Sequence, residues 1–146
     1  MSEKTYQWTI KIISRSSKDK TLDLNGVTKD WTEGKFRKRV CSITTRLGEK
    51  EYMTQADDYF TAFCQLRENL SEIGITPYCY ASSLNVYPSG MARDMAAGLK
   101  AYQFTHGFHV SSQDLVHIFD TGEDVTPVSV AEQKAYFDEW LKSPRV

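Results

Sequence analysis

The sequence has no apolar run that approaches the roughly 20 residues of a membrane-spanning helix. Its first residues lack the basic and apolar regions of a secretory signal, so we expect a cytoplasmic protein with no membrane partner. The three cysteines, Cys41, Cys64 and Cys79, form no Cys-x-x-Cys pair, which predicts free, buried thiols in a reducing compartment. No repeat, linker or low-complexity tract divides the chain, and we expect one domain over residues 1–146.

Charge is unevenly distributed along a chain whose composition, with 40% hydrophobic and 25% charged residues, is otherwise that of an ordinary globular protein. Residues 1–50 contain 12 Lys and Arg against 6 Asp and Glu, whereas residues 51–146 contain 6 against 13. One interpretation is that the fold mixes both halves on one surface. The other is that the second half presents an acidic face to a basic partner, which raises association rates.

Sequence periodicity predicts an α+β fold. Apolar and polar residues alternate over residues 5–14, and residues 35–47 are rich in Val, Ile and Thr, so both segments predict strands. An apolar stripe with helical spacing over residues 54–73, with Thr54 as its cap, predicts the longest helix. A capping box that starts at Ser129 predicts the last helix. We expect a single domain with a mainly antiparallel sheet packed by two substantial helices plus one short helix.

Two features of the first half predict a turn and a charged surface. Asn25-Gly26 is a turn signal that should end a short strand over residues 21–24, after which an irregular segment folds Trp31 onto the core. The basic residues between positions 35 and 39 are typical of a nucleic-acid-binding patch or of the charged outer face of an edge strand. We favour the edge strand and expect no nucleic-acid partner.

Residues 79–104 contain three changes of local structure. A β-prone run over residues 78–86 meets a Pro-Ser-Gly break, and a short block of helix formers follows with Met91 and Met95 on one face. Gly98 fits the left-handed conformation that ends a helix, and the chain then becomes extended again. The pattern predicts a strand, a short helix and a second strand at the centre of a sheet.

The sequence motifs of this segment resemble those of a known group of proteins. Val-Tyr-Pro-Ser-Gly-Met-Ala-Arg-Asp-Met over residues 86–95 is followed by Gly-Leu-Lys-Ala-Tyr and then by Asp-Leu-Val-His-Ile-Phe-Asp over residues 114–120. These motifs resemble the immunity proteins of bacterial polymorphic toxin systems, most closely immunity protein family 52. The chain departs from that pattern at residues 81–83, where Ala-Ser-Ser replaces the expected Gly and Arg. The resemblance implies a small cytoplasmic α+β protein, encoded beside a toxin that is often a nuclease of the restriction-endonuclease fold.

Two enzyme-like interpretations of the residues are weak. His106, His109 and His117 are spaced so that two or three can converge on a zinc ion, but no further ligand motif accompanies them. Ser89, His117 and Asp120 are the residue types of a hydrolase triad, but Ser89 lacks a Gly-x-Ser-x-Gly elbow. We therefore predict no catalytic, cofactor-binding or metal-binding residue.

A phosphate or nucleotide site, or a hydrolase site, is the runner-up interpretation. Ser89 at the start of the short helix, with Arg93 one turn later and Lys100 nearby, has the groups to hold an anion. The structural alternative is that Ser89 only caps its own helix and Arg93 pairs with a carboxylate.

A protein-binding surface is the interpretation that the resemblance favours. Aromatic residues, which dominate interface energetics, are frequent around the central segment: Tyr78, Tyr80, Tyr87, Tyr102 and Phe108. Nearby carboxylates suit the basic cleft of a nuclease. We predict that the chain neutralises a cognate toxin by binding alone, through Tyr87, Ser89, Arg93, Asp94, Lys100, Tyr102, Asp120, Glu123 and Asp124.

Overall fold

A computed structural model of the chain describes residues 1–15 and 20–145. Among these residues, two antiparallel sheets pack with three α-helices, which confirms the predicted α+β fold with two substantial helices and one short one. No described helix combines the length and apolar character that crossing a bilayer requires. The strands and helices in chain order are β1 (Ser2–Ser14), β2 (Lys20–Glu33), β3 (Phe36–Leu47), β4 (Lys50–Ala56), α1 (Tyr59–Glu72), β5 (Ile75–Tyr78), β6 (Val86–Tyr87), α2 (Gly90–Met95), β7 (Lys100–Gln103), β8 (Leu115–His117) and α3 (Val130–Lys142).

The larger sheet has the strand order β4-β3-β2-β1-β5 and is antiparallel throughout. The predicted alternation of β1 is confirmed, because Ile10 and Ile12 are buried while Thr9 and Lys11 are exposed. Helix α1 links the two edge strands and covers the apolar face. The main core that results contains Ile10, Ile12, Leu22, Leu24, Cys41, Ile43, Tyr59, Phe60, Phe63, Leu66 and Leu70.

Strand β2 overturns the turn predicted at Asn25-Gly26. The strand continues through Gly26 to Glu33, and Trp31 lies half-exposed near its end instead of on the core. A Cβ atom at Gly26 would lie 2.5 Å from the ring of Trp8 on β1. The glycine is therefore needed for a close side-chain contact inside the sheet and not for a turn.

Helix α1 begins later than predicted. Thr54 belongs to β4, where it pairs with Ile43, and its hydroxyl donates to the carbonyl of Ala62. The cap is Asp58, whose carboxylate accepts from the backbone N–H of Thr61 at 2.8 Å. The segment before Asp58 is thus the end of strand β4. The apolar spacing of the helix wrongly assigns residues 54–56 to the helix.

The smaller sheet has the order β6-β7-β8. The strand predicted over residues 78–86 is wrong, because β5 ends at Tyr78 and a 3₁₀ turn, Tyr80–Ser82, separates it from β6. The short helix and the positive φ of Gly98 are confirmed, and β7 lies at the centre of this smaller sheet. The predicted capping box at Ser129 is also confirmed at the start of α3.

Candidate protein-binding surface

Ser89 and Arg93 have structural partners inside the chain. The Ser89 hydroxyl accepts a hydrogen bond from the backbone N–H of Ala92 at 3.0 Å and caps α2. Arg93 donates to the carboxylate of Asp58 at 3.0 Å and to the hydroxyl of Thr61 at 2.7 Å. The structure therefore matches the structural alternative for both residues, and α2 has only six residues.

Tyr87 belongs to an aromatic cluster between the helices. Its ring stacks on Phe137 of α3 with 4.3 Å between centroids and meets Phe60 of α1 edge to face at 5.2 Å. The guanidinium of Arg93 lies 5.6 Å from the same ring. Because side chains of α1, α2 and α3 contact this ring, its first role is to join β6 to the three helices.

Helix α2 is held in place by an arginine from the larger sheet. Arg39 of β3 donates to the carbonyls of Arg93 and Asp94 at 2.6 and 3.0 Å and to the carbonyl of Asp57 at 2.8 Å. A guanidinium at the last carbonyls of a helix satisfies acceptors that the helix leaves open and complements its dipole. Two arginines therefore fix a helix that buries none of its own side chains.

The outer side of α2 is apolar and exposed. Met91 is 70% exposed and Met95 is 80% exposed, four residues apart as their spacing predicts. Asp94 is also exposed, and only its backbone carbonyl is used by Arg39. Of the predicted contact residues in this segment, Asp94 is the one that the structure leaves at the surface.

The segment from Asp120 to Asp124, named here the acidic loop, is held against the smaller sheet. The carboxylate of Asp124 accepts from the hydroxyl of Tyr80 at 2.7 Å and from the side-chain amide of Gln103 at 2.8 Å. Gly122 lies so close to the Tyr80 hydroxyl that a Cβ atom there would collide with it. Asp120 and Glu123 are exposed beside these anchors.

The same hydrogen bonds fix the charge of Asp124. The bonds from Gln103 and then from Tyr80 hold the pKa of Asp124 below its ordinary value. In return, the bond to this carboxylate raises the pKa of Tyr80 to about 12. Asp124 is therefore an anion and Tyr80 a neutral donor over the whole physiological range.

Lys100 and Tyr102 lie on β7, next to the acidic loop. Lys100 is exposed and pairs across the sheet with His117, whereas Tyr102 is half-buried and pairs with Tyr87. Asp120 follows three residues after His117, and its backbone N–H donates to the His117 carbonyl. The structure thus places Lys100 and Asp120 on either side of His117, near the acidic loop. Tyr102 instead pairs with Tyr87, whose ring lies against Arg93.

The histidines have local contacts. His106 stacks on Tyr136 with 4.3 Å between ring centroids. The Nδ1 atom of His117 accepts from the backbone N–H of Phe119 at 3.2 Å, and burial lowers the pKa of this histidine. Within residues 1–15 and 20–145, no three His, Cys, Asp or Glu side chains are grouped as metal ligands would be.

Sequence reasoning missed Arg67, a cation in the interior. Its side chain is 4% exposed and donates to the carbonyls of Ala81 and Val128 and to the amide oxygen of Gln133. No carboxylate of the described residues lies within 4.0 Å of it. Arg67 also lines a cavity of about 510 Å³ between α1, β5 and the start of α3. Arg67 lies four residues after Phe63, on the same face of α1 as the apolar stripe, and this position in the sequence predicts a buried side chain.

A second missed feature is the projecting end of the β2–β3 hairpin. Pairing of β1 with β2 reaches Asp30, and pairing of β4 with β3 begins at Cys41, so residues 31–38 form a two-stranded ribbon. We name residues 31–38 the arm. The predicted edge strand is wrong as stated, because β3 is internal; only its basic first residues lie at an edge.

No protein-family model matches the chain, and a comparison with curated proteins also finds no match.

Proposed function

We propose that this chain is a cytoplasmic immunity protein that neutralises a cognate bacterial toxin, a nuclease effector being the favoured kind, by binding it without turnover. The observation that carries the proposal is the acidic loop, with Asp120 and Glu123 exposed beside the anchored Asp124. It adds a defined surface to the resemblance of residues 86–120 to immunity proteins. A carboxylate cluster of this kind suits the Lys and Arg residues that line a nuclease cleft.

The anchoring of the loop supports a binding role in energetic terms. A loop whose conformation is already fixed loses little entropy when a partner binds, so more of the contact energy contributes to affinity. Its exposed carboxylates contribute mainly to association rate and specificity, because charges at the rim of an interface are screened and solvated. A toxin must be inhibited almost completely, which requires a Kd in the nanomolar range or below, about −12 kcal/mol.

The runner-up function is a phosphate-binding, nucleotide-binding or hydrolase domain that uses Ser89, Arg93 and Lys100. The geometry favours it less, because the Ser89 hydroxyl caps α2 and the Arg93 guanidinium pairs with Asp58. Lys100 is exposed and has no side-chain hydrogen bond or ion pair to any residue that the structure describes. A thermal-shift screen with phosphate and nucleotides tests this alternative, which predicts a rise in Tm that the Lys100→Ala variant loses.

The test of the proposal is association of the purified chain with the toxin domain encoded by the adjacent gene. Charge reversal at the acidic loop, Asp120→Lys with Glu123→Lys, should slow association at low salt more than it speeds dissociation. Stopped-flow fluorescence measures both rates. The matched control is Glu139→Lys, a reversal at an exposed carboxylate of α3.

Two results would contradict the proposal in different ways. If wild-type protein forms no complex with the toxin domain and does not restore growth of cells that express it, the immunity function is wrong. If the complex forms but the loop reversals and the control leave the association rate equally unchanged, the acidic loop is not the surface that meets the toxin.

A further inference from the structure

The arm is a structural feature that the acidic loop does not explain. An isolated two-stranded ribbon is marginally stable in water, yet this one extends beyond both neighbouring strands. Its base is secured by Arg39, which joins β3 to α2 through three backbone carbonyls. The fold therefore presents the arm from a fixed base.

The tip of the arm combines an exposed aromatic ring with cations. Phe36 is 70% exposed, and the ammonium of Lys38 lies 6.0 Å from its ring centroid. Lys35 and Arg37 flank it and are exposed. Trp31, half-exposed on the same hairpin, donates its indole N–H to Glu33 at 3.1 Å. Aromatic residues next to arginine are the composition that is enriched at the centres of protein interfaces.

The acidic loop lacks what the arm provides. Residues 120–124 contain no apolar side chain, and the exposed charges of a loop give association rate more than affinity. Tight binding depends on a few apolar or aromatic anchors that become fully buried. If the chain binds a toxin tightly, such anchors must lie elsewhere on its surface, and Phe36 is a highly exposed aromatic residue.

We infer that the arm is the second contact with the same toxin, with Phe36 entering an apolar pocket that carboxylates surround. This inference rests on the proposed function. The acidic border follows from charge complementarity to Lys35, Arg37 and Lys38. Trp8 contacts Phe119, the residue before the acidic loop, with 4.5 Å between ring centroids, and Trp8 pairs with Leu24 of β2. Leu24 is ten residues from the turn at Gly34, a separation of about 33 Å along a strand. A standard interface of about 800 Å² per partner is roughly 30 Å across, so one toxin domain can contact both regions.

A nucleic acid fits the arm less well than a protein does. Arg39, the guanidinium nearest to its base, is already bonded to three carbonyls. The cleft between the arm and α2 is lined by three acidic residues, Asp30, Asp57 and Asp94, as well as by Arg37, Lys38 and Arg39. The acidic residues offset the attraction of the cations for phosphates, so the cleft is not a continuous basic surface. An exposed phenylalanine at the tip also has more to gain from an apolar pocket than from a charged backbone.

The experiment compares Phe36→Ala with Leu141→Ala in binding to the toxin domain encoded by the adjacent gene. Leu141 is the control, since it is an apolar side chain that is 50% exposed and lies on α3, outside the arm and the acidic loop. Loss of a buried aromatic anchor should weaken the Kd about tenfold or more, chiefly through faster dissociation, whereas Leu141→Ala should change it less than about twofold. The charge variant Lys35→Glu with Arg37→Glu should also weaken binding.

Each outcome decides the inference. If the toxin binds but Phe36→Ala binds as wild type, the arm is not a contact and the proposed function survives. If the charge variant binds more tightly, the pocket is not acidic and the inference is wrong. If wild-type protein does not bind at all, the proposed function fails first. If the arm variants abolish retention on duplex DNA at about 50 mM salt and leave toxin binding unchanged, the arm is a nucleic-acid contact instead.

Discussion

Removal of Arg67 is the substitution for which the structure gives the largest predicted effect. Arg67→Met keeps most of the side-chain length but removes every donor of the guanidinium. The carbonyl of Val128 and the amide oxygen of Gln133 then lose their side-chain donor inside the protein, while the carbonyl of Ala81 keeps its bond from Gln133.

The magnitude follows from these two acceptors. A buried polar group without a partner costs about 1–3 kcal/mol, so the two together cost about 2–6 kcal/mol. Removing a buried charge that has no carboxylate partner offsets part of this cost. We expect Arg67→Met to lower the free energy of unfolding by about 2–4 kcal/mol, which for a chain of this size lowers Tm by roughly 6–12 °C.

Urea unfolding, followed by the fluorescence of the three tryptophans, measures this change. Arg37→Met is the control, because Arg37 is exposed and its loss should change stability by less than about 0.5 kcal/mol. In a double-mutant cycle, Gln133→Leu should cost about 1 kcal/mol less when Arg67 is already absent. A destabilisation below about 0.5 kcal/mol, or two strictly additive effects, would refute the reasoning.

Three further predictions concern the glycines and the titrating groups. Gly98→Ala should destabilise the protein by about 2 kcal/mol or more, because φ is +74° and the new Cβ would lie 2.7 Å from a carboxylate oxygen of Asp58. Gly90 has open space around it, so Gly90→Ala should be neutral or slightly stabilising in the same urea assay. The pKa of Asp124, followed by NMR, should rise towards its ordinary value in Gln103→Leu and also, by less, in Tyr80→Phe; no rise in either variant would contradict the anchoring of the loop. Because burial lowers the pKa of folded His117, this residue contributes stability above pH 6.5 that is lost as the pH falls through its folded pKa, so His117→Asn should reduce the loss of stability between pH 7 and pH 5. An identical pH dependence in both proteins would contradict that assignment.

The parts of the fold that sequence predicts are those set by neighbouring residues. The alternation of β1 and the capping box at Ser129 are both local patterns, and the structure contains both. Gly98 is also predictable, since a left-handed residue after a short helix favours glycine.

The parts that sequence reasoning misses are set by residues distant in the chain. Gly26 is typical of a turn, but the strand continues through it. The ring of Trp8 on the neighbouring strand occupies the space where a side chain at position 26 would lie. Thr54 has the properties of a helix cap, yet pairing with Ile43 places it in a strand. The partner of Arg93 lies 35 residues earlier, so its structural role becomes visible only in the fold.

Titration of toxin activity is the most direct test of the claim that the chain acts by occupying a partner and not by catalysis. A fixed amount of the toxin domain encoded by the adjacent gene is mixed with increasing amounts of the chain, and residual toxin activity is measured after short and long incubation. We predict a linear loss of activity that ends at a fixed molar ratio near one and does not progress with time. Progressive inactivation of excess toxin by a small amount of the chain would contradict the account, as would full toxin activity at every ratio.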